Sequence, residues 1–136
     1  MCLKPPRRNS LFWRNACQTR FPPGTFVGQH LFFRGGDFEN PRLNYWLREG
    51  ATGNAEVDYV VENGTEVLPV EVKAGASGSL KALRQMILEK RLRSAVRFDA
   101  GKFSRQTIAI GGNPSFELTT LPLYAATLPI GDFLIH

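Results

Sequence analysis

Cysteine is scarce in this chain of 136 residues: there are two, Cys2 and Cys17, and both lie near the N-terminus. They form neither a disulfide framework nor the paired spacing of a zinc site, so we expect a reducing, cytoplasmic environment. Long apolar runs are also missing, which predicts no membrane-spanning segment. The basic N-terminus lacks the apolar stretch of a secretory signal. With 43% hydrophobic residues, the chain is long enough for one compact domain.

Acidic side chains are absent from residues 1–20, which carry five bases and a net charge of +5. The other residues hold 12 basic and 12 acidic side chains, so the whole excess of positive charge lies in this segment. We predict a flexible basic tail over residues 1–22 and a folded domain over residues 23–136. The alternative interpretation of the tail is an arm that attracts phosphate.

Charge is also divided within the domain. Residues 37–71 hold eight acids and two bases, whereas residues 81–105 hold eight bases and two acids. An acidic segment followed by a basic one is typical of complementary surfaces. It also suits a site that binds a cation and a polyanion together.

The apolar pattern predicts an α/β domain, with helices packed on a mixed sheet. Helices are predicted over residues 24–34 and 79–92, the second capped by Ser79, and a short one over 121–128. Strands are predicted over residues 44–49, 55–62, 66–73, 95–99 and 107–110. Asn63-Gly64 is a strong hairpin signal and is expected to join the second and third strands.

Four charged residues share one face of the predicted hairpin: Glu56, Asp58, Glu71 and Lys73. Centring the turn on Asn63-Gly64 places residue 58 opposite 69 and residue 56 opposite 71, so Asp58 is diagonal to Glu71. A bulge or frayed pairing is expected at residue 69, a proline that cannot donate to the ladder. The other, buried face is predicted to carry Val57, Tyr59, Val61, Leu68, Val70 and Val72.

Three carboxylates on one patch repel one another unless they are exposed or a cation joins them. Asp58 and Glu71, with Glu56 as a further ligand, are hard oxygen donors of the kind that suit Mg²⁺ or Mn²⁺. Lys73 would hold a water nucleophile or neutralise a phosphate. The alternative interpretation is an exposed polar face on which Lys73 simply pairs with Glu71.

The segments EVDYVVE, VEVKAG and LKALRQ follow one another at close spacing. In this order they resemble the C-terminal domain of unknown function that follows an AAA-type ATPase module in many bacterial and archaeal proteins. That domain is similar to the PD-(D/E)XK nuclease-like superfamily, and the resemblance covers residues 25–128. It implies a restriction-endonuclease-like core in which Asp58, Glu71 and Lys73 are catalytic. It also implies a site role for Gln85, on the polar side of the following helix.

The first helix departs from the pattern of that family. Its stretch PGTFVGQHL has Gly24 and His30 where the family has glutamates. His30 would be a softer metal ligand or a base, or else a residue packed at the edge of the surface.

The leading hypothesis is therefore a Mg²⁺- or Mn²⁺-dependent nuclease that acts on DNA or RNA, with the basic helix contacting the nucleic-acid backbone. The alternatives are a non-catalytic module that binds nucleic acid or a partner AAA-type ATPase, and a folded fragment without a function of its own. The sequence predicts no oligomeric state.

Overall fold

A computed structural model of the chain describes residues 23–33, 44–50, 53–63, 65–75, 79–112 and 114–128. The predicted tail, residues 1–22, lies outside the described residues. The elements in chain order are α1 (Pro23–Phe33), β1 (Asn44–Arg48), β2 (Ala55–Asn63), β3 (Glu66–Val72), α2 (Lys81–Lys90), β4 (Ser94–Asp99), β5 (Ser104–Ala109), β6 (Ser115–Pro122) and a 3₁₀ helix (Leu123–Thr127). Within these ranges no helix is both long and apolar enough to cross a membrane.

The six strands form one mixed sheet in the order β1-β2-β3-β4-β6-β5. The pairs β3–β4 and β4–β6 are parallel, and the other three pairs are antiparallel. Helix α2 links β3 to its parallel neighbour β4, as a parallel connection requires. The carboxyl ends of β3 and β4 therefore lie at the same edge of the sheet, beside the start of α2.

Apolar side chains cover both faces of the sheet. One layer lies under α1 and the 3₁₀ helix and is built around Val27, Tyr59 and Phe98. The other lies under α2 and is built around Leu83, Met86, Phe116 and neighbouring residues. The predicted single α/β domain with helices on a mixed sheet is confirmed.

The sequence did not predict strand β6, and the helix that it predicted over residues 121–128 starts too early. Residues 121 and 122 end β6, and only Leu123–Thr127 is helical. Phe116 and Leu118 of β6 face α2, whereas Leu121 faces the other layer. Residues 115–119 alternate between polar and apolar side chains, but Thr120 and Leu121 break the phase of this alternation, so the strand gives a weak sequence signal.

Helix α2 starts two residues later than predicted. Ser79 lies before the helix, and its Oγ accepts a hydrogen bond from the Lys81 N–H at 3.1 Å. The helix ends at Lys90, and the next residue, Arg91, has the left-handed backbone conformation (φ 53°).

The register of the β2–β3 hairpin differs by two residues from the predicted one, because Val60, not residue 58, pairs with Pro69. Asn63 pairs with Glu66, so the connection is residues 64 and 65, not the predicted 63 and 64. Gly64 itself lies outside the described residues. Pairing continues through Pro69, so the bulge or frayed pairing predicted there is wrong. Pairing of β3 with β4 begins only at Val70, so the missing N–H of Pro69 interrupts no ladder on that side.

A β-bulge instead interrupts the pairing of β1 with β2. Asn44 pairs with Val60 and Trp46 with Val57, so two steps along β1 match three along β2. The extra residue reverses the alternation, and Val57 lies under α2 while Tyr59 lies under α1. The prediction that these two residues share a face is therefore wrong.

Candidate functional site

A cleft of about 330 Å³ opens at the carboxyl end of β3, beside the start of α2. Its charged and polar lining residues are Glu56, Glu71, Lys73, Ser79, Lys81 and Gln85. Residues 53–55 and 82 complete the described part of the wall. Four of the residues predicted from the sequence to form the site therefore line one cleft.

Glu71 is the buried carboxylate of this cleft. Its neighbours Val70 and Val72 belong to the layer under α1, so Glu71 points to the α2 side. It is only 4% exposed, and the expectation that it lies on an exposed polar face opposite a single core is wrong, because both faces of the sheet are covered. Oε1 forms an ion pair with Lys73, whereas Oε2 is buried without a hydrogen-bond partner among the described residues.

The environment of Glu71 opposes its ionisation. Burial raises the pKa of its carboxyl group, and repulsion from Asp58 adds to the rise. The hydrogen bond from Lys73 and the positive charge of Arg97 lower the pKa and offset part of this effect. Such a carboxylate gains most from a cation, which would replace the lost hydration.

Asp58 lies beside Glu71, where strands β2 and β3 separate. The last backbone pair between the strands is Tyr59 with Val70. One step further, Oδ2 of Asp58 accepts a hydrogen bond from the Val72 N–H at 2.7 Å. Burial raises the pKa of Asp58, and the hydrogen bond from Val72 and the charge of Lys73 oppose that rise. The Asp58 carboxylate thus replaces the next backbone hydrogen bond between β2 and β3, at the point where the pairing of these strands ends.

Two residues of the site were missed by the sequence analysis, Arg97 and Asp99 on β4. Arg97 is next to Glu71 in the parallel register and is 7% exposed. Its Nε lies 2.8 Å from Oδ2 of Asp99, whose Oδ1 accepts the Gly101 N–H at 2.7 Å. Nη2 of Arg97 has no hydrogen-bond partner in the described part of the chain. The signal available in the sequence was the Arg-x-Asp spacing within an otherwise apolar strand, AVRFD.

The remaining predicted residues are placed differently from one another. Gln85 is half-buried on α2 and lines the cleft, and Glu56 is exposed at its rim. His30 is half-buried on α1, the helix on the opposite face of the sheet, and is not among the residues that line the cleft. Its ring centroid lies 4.6 Å from that of Phe26 in an edge-to-face contact. Over the described ranges, no three Asp, Glu, His or Cys side chains stand together as a possible metal-binding group.

The class of protein defined by these features is a small α/β domain with a six-stranded mixed sheet and a charged cleft at the ends of its parallel strands. The chain belongs to the family described as Domain of unknown function (DUF4143), whose model matches residues 24–122. This range runs from the second residue of α1 to the end of β6 and includes every described residue that lines the cleft. No curated protein matches the chain.

Proposed function

We propose that this domain is a PD-(D/E)XK-type phosphodiesterase that cleaves nucleic acid with the help of Mg²⁺ or Mn²⁺. The observation that carries the proposal is that Oε2 of Glu71 is buried without a described hydrogen-bond partner, while Glu71 itself is one of the residues that line the cleft. Leaving such an atom unpaired costs about 1–3 kcal/mol or more for a charged group. A ligand that supplies the missing contact would account for a glutamate at this buried position.

The oxygen donors fit a hard divalent cation. Glu71 offers Oε2 and Asp58 offers the carboxylate oxygen that is not bonded to Val72. Mg²⁺ commonly binds one or two carboxylates and keeps several waters, so the absence of a third described acid at this position is compatible with it. When bound, the cation would supply Lewis acidity to a phosphoryl oxygen and lower the pKa of a bound water.

The other side chains have separate roles in this proposal. Lys73 uses one contact to orient Glu71, and its remaining N–H donors are available for a phosphate oxygen or the attacking water. Gln85 faces the same cleft from α2 and can orient a polar group without adding charge. Arg97 lies beside Glu71 and partly balances the charge of its carboxylate.

Calorimetric titration with Mn²⁺, together with cleavage assays on single- and double-stranded DNA and RNA, tests this proposal. The wild type should bind Mn²⁺ and cleave, and Glu71→Gln should lose both activities. Lys73→Met should retain binding and lose cleavage. Glu66→Gln is the matched control, because Glu66 is an exposed carboxylate on the same strand, at the opposite end from the cleft. Equal Mn²⁺ binding by wild type and Glu71→Gln, with no cleavage by either, would refute the proposal.

A second candidate function is a non-catalytic module with the same fold, which serves nucleic acid or a partner AAA-type ATPase. The observation that favours it is the lack of a third acidic ligand among the described residues. In that case the cleft would be a relic of a metal site, and nucleic-acid or ATPase binding would be unaffected by Glu71→Gln.

A further inference from the structure

A second groove, of about 650 Å³, runs along the outer face of α2. Its lining residues in the described chain are Ser79, Leu80, Lys81, Arg84, Gln85 and Leu88. Three of them, Ser79, Lys81 and Gln85, also line the cleft at Glu71. The groove and the cleft therefore share part of their lining, and Lys81 belongs to both.

The charge of this groove is positive. Lys81 and Arg84 are exposed, and no acidic side chain in the described ranges forms an ion pair with either. Glu89, the only acid of α2, is engaged instead by Arg48 of β1 at 2.9 Å. The first turn of α2 contains no acid, so the partial positive charge of the helix N-terminus adds to these cations.

We propose that this groove binds the phosphate backbone of one nucleic-acid strand and leads it to the cleft, which deepens the proposed function and rests on it. Lys81 and Arg84 are three residues apart and so are neighbours on one side of the helix, about 5–6 Å apart at Cβ. They can meet successive phosphates of one strand. Leu88, which is 47% exposed, offers an apolar surface to a sugar or base at the far end. Beyond Lys81 the nucleic-acid strand reaches Lys73, the cation that contacts Glu71.

A single strand fits this arrangement better than a duplex. The described cations that line the groove, Lys81 and Arg84, lie along one short stretch of one helix, which matches the phosphates of a single strand. A duplex carries its phosphates on two strands, and the described lining of the groove offers cations to only one of them. We therefore expect single-stranded substrates to bind more tightly than duplexes of the same sequence.

Binding is measured by fluorescence anisotropy with a short labelled oligonucleotide, in EDTA, on the Glu71→Gln background, over a series of salt concentrations. On this background Lys81→Gln and Arg84→Gln should each weaken binding about fivefold and reduce the salt slope by about 0.7. Lys90→Gln is the matched control, because Lys90 is exposed at the other end of the same helix and outside the groove. It should change binding less than twofold.

The outcomes distinguish this inference from the catalytic proposal. If the oligonucleotide binds and depends on Lys81 and Arg84 while the wild type never cleaves, the groove is supported and the nuclease proposal fails. Wild-type-like binding by both groove variants would overturn the groove, whether or not the protein cleaves. Tighter binding of a duplex would overturn the single-strand assignment. If a poly-glutamate peptide binds as tightly as the oligonucleotide and its binding also depends on Lys81, the groove would be assigned to an acidic protein segment. That result would overturn the nucleic-acid assignment as well.

Discussion

Replacing Gly28 of α1 by alanine should destabilise the fold, although alanine is the better helix former. A Cβ atom at residue 28 would overlap Oη of Tyr59 and would lie 2.8 Å from Cζ of the same ring. Tyr59 is 1% exposed, and its hydroxyl group donates a hydrogen bond to the Gly24 carbonyl at 2.7 Å. The added methyl group must therefore push α1 away from the sheet or move a buried ring.

The expected change in the free energy of unfolding combines two costs and one gain. Overpacking a buried site costs about 1–3 kcal/mol. Loss of the Tyr59 hydrogen bond adds about 0.5–1.5 kcal/mol if the ring moves. Alanine recovers about 0.8–1 kcal/mol of helix propensity relative to glycine. The free energy of unfolding should fall by about 1–3 kcal/mol.

Urea unfolding followed by circular dichroism measures this change. Gly24→Ala is the control on the same helix, because its Cβ would lie 3.9 Å from the Tyr59 hydroxyl oxygen, an ordinary contact. It should be neutral or slightly stabilising. Gly28→Ala on a Tyr59→Phe background should cost less than on the wild type, since the closest atom has been removed. A Gly28→Ala protein as stable as the wild type, with an unchanged urea slope, would show that α1 does not pack on Tyr59 in this way.

Two further predictions concern the carboxylates of Glu71 and Asp58. Burial raises the pKa of Glu71 and Asp58 in the folded chain, so the folded state holds protons that the unfolded state has already lost. The contribution of these two groups to stability should therefore be complete below the ordinary carboxyl range and should be lost as the pH rises through the raised values. Urea unfolding over a series of pH values should show a smaller fall for Glu71→Gln than for wild type and Glu66→Gln, and identical profiles would contradict the burial of an ionisable Glu71. Asp58→Ala should lower the free energy of unfolding by about 1–3 kcal/mol, because the Val72 N–H loses its acceptor, whereas Asp58→Asn keeps an acceptor oxygen and should cost less. Equal losses in the two Asp58 variants would show that the charge, not the hydrogen bond, is what matters there.

The sequence predicted the elements whose signal is local. The hairpin strands, helix α1 and helix α2 lie within two or three residues of their predicted bounds, because apolar periodicity and turn residues mark them. Leu68, Val70 and Val72 also share a buried face as predicted. The predictions that failed concern features that depend on residues distant in the chain. Only pairing with β1 reveals the bulge in β2.

The candidate site was predictable in composition but not in position. Period-two alternation correctly placed Glu71 and Lys73 on one side of β3, and both line the cleft. The same rule could not show that α2 covers this side, so burial of Glu71 came as a correction. Nor could it identify Arg97, because Arg97 lies beside Glu71 only through the parallel pairing of β4 with β3. The sequence of β4 alone does not show this pairing.

The contacts around Glu71 are hard to explain by stability alone. A buried ion pair can often be replaced by apolar residues of similar size without loss of stability. Yet adjacent positions of β3 and β4 carry Glu71 and Arg97, and each has a buried polar atom without a described partner, Oε2 and Nη2. Oε2 accepts and Nη2 donates, so a cation beside Glu71 and an anionic oxygen beside Arg97 would satisfy the two atoms. A phosphate with its divalent cation has that character, and the carboxyl ends of parallel strands are where open α/β sheets bind ligands. The cost of leaving these atoms unpaired therefore supports a phosphate-processing site over a relic, since a relic would gain stability from an apolar replacement at either position.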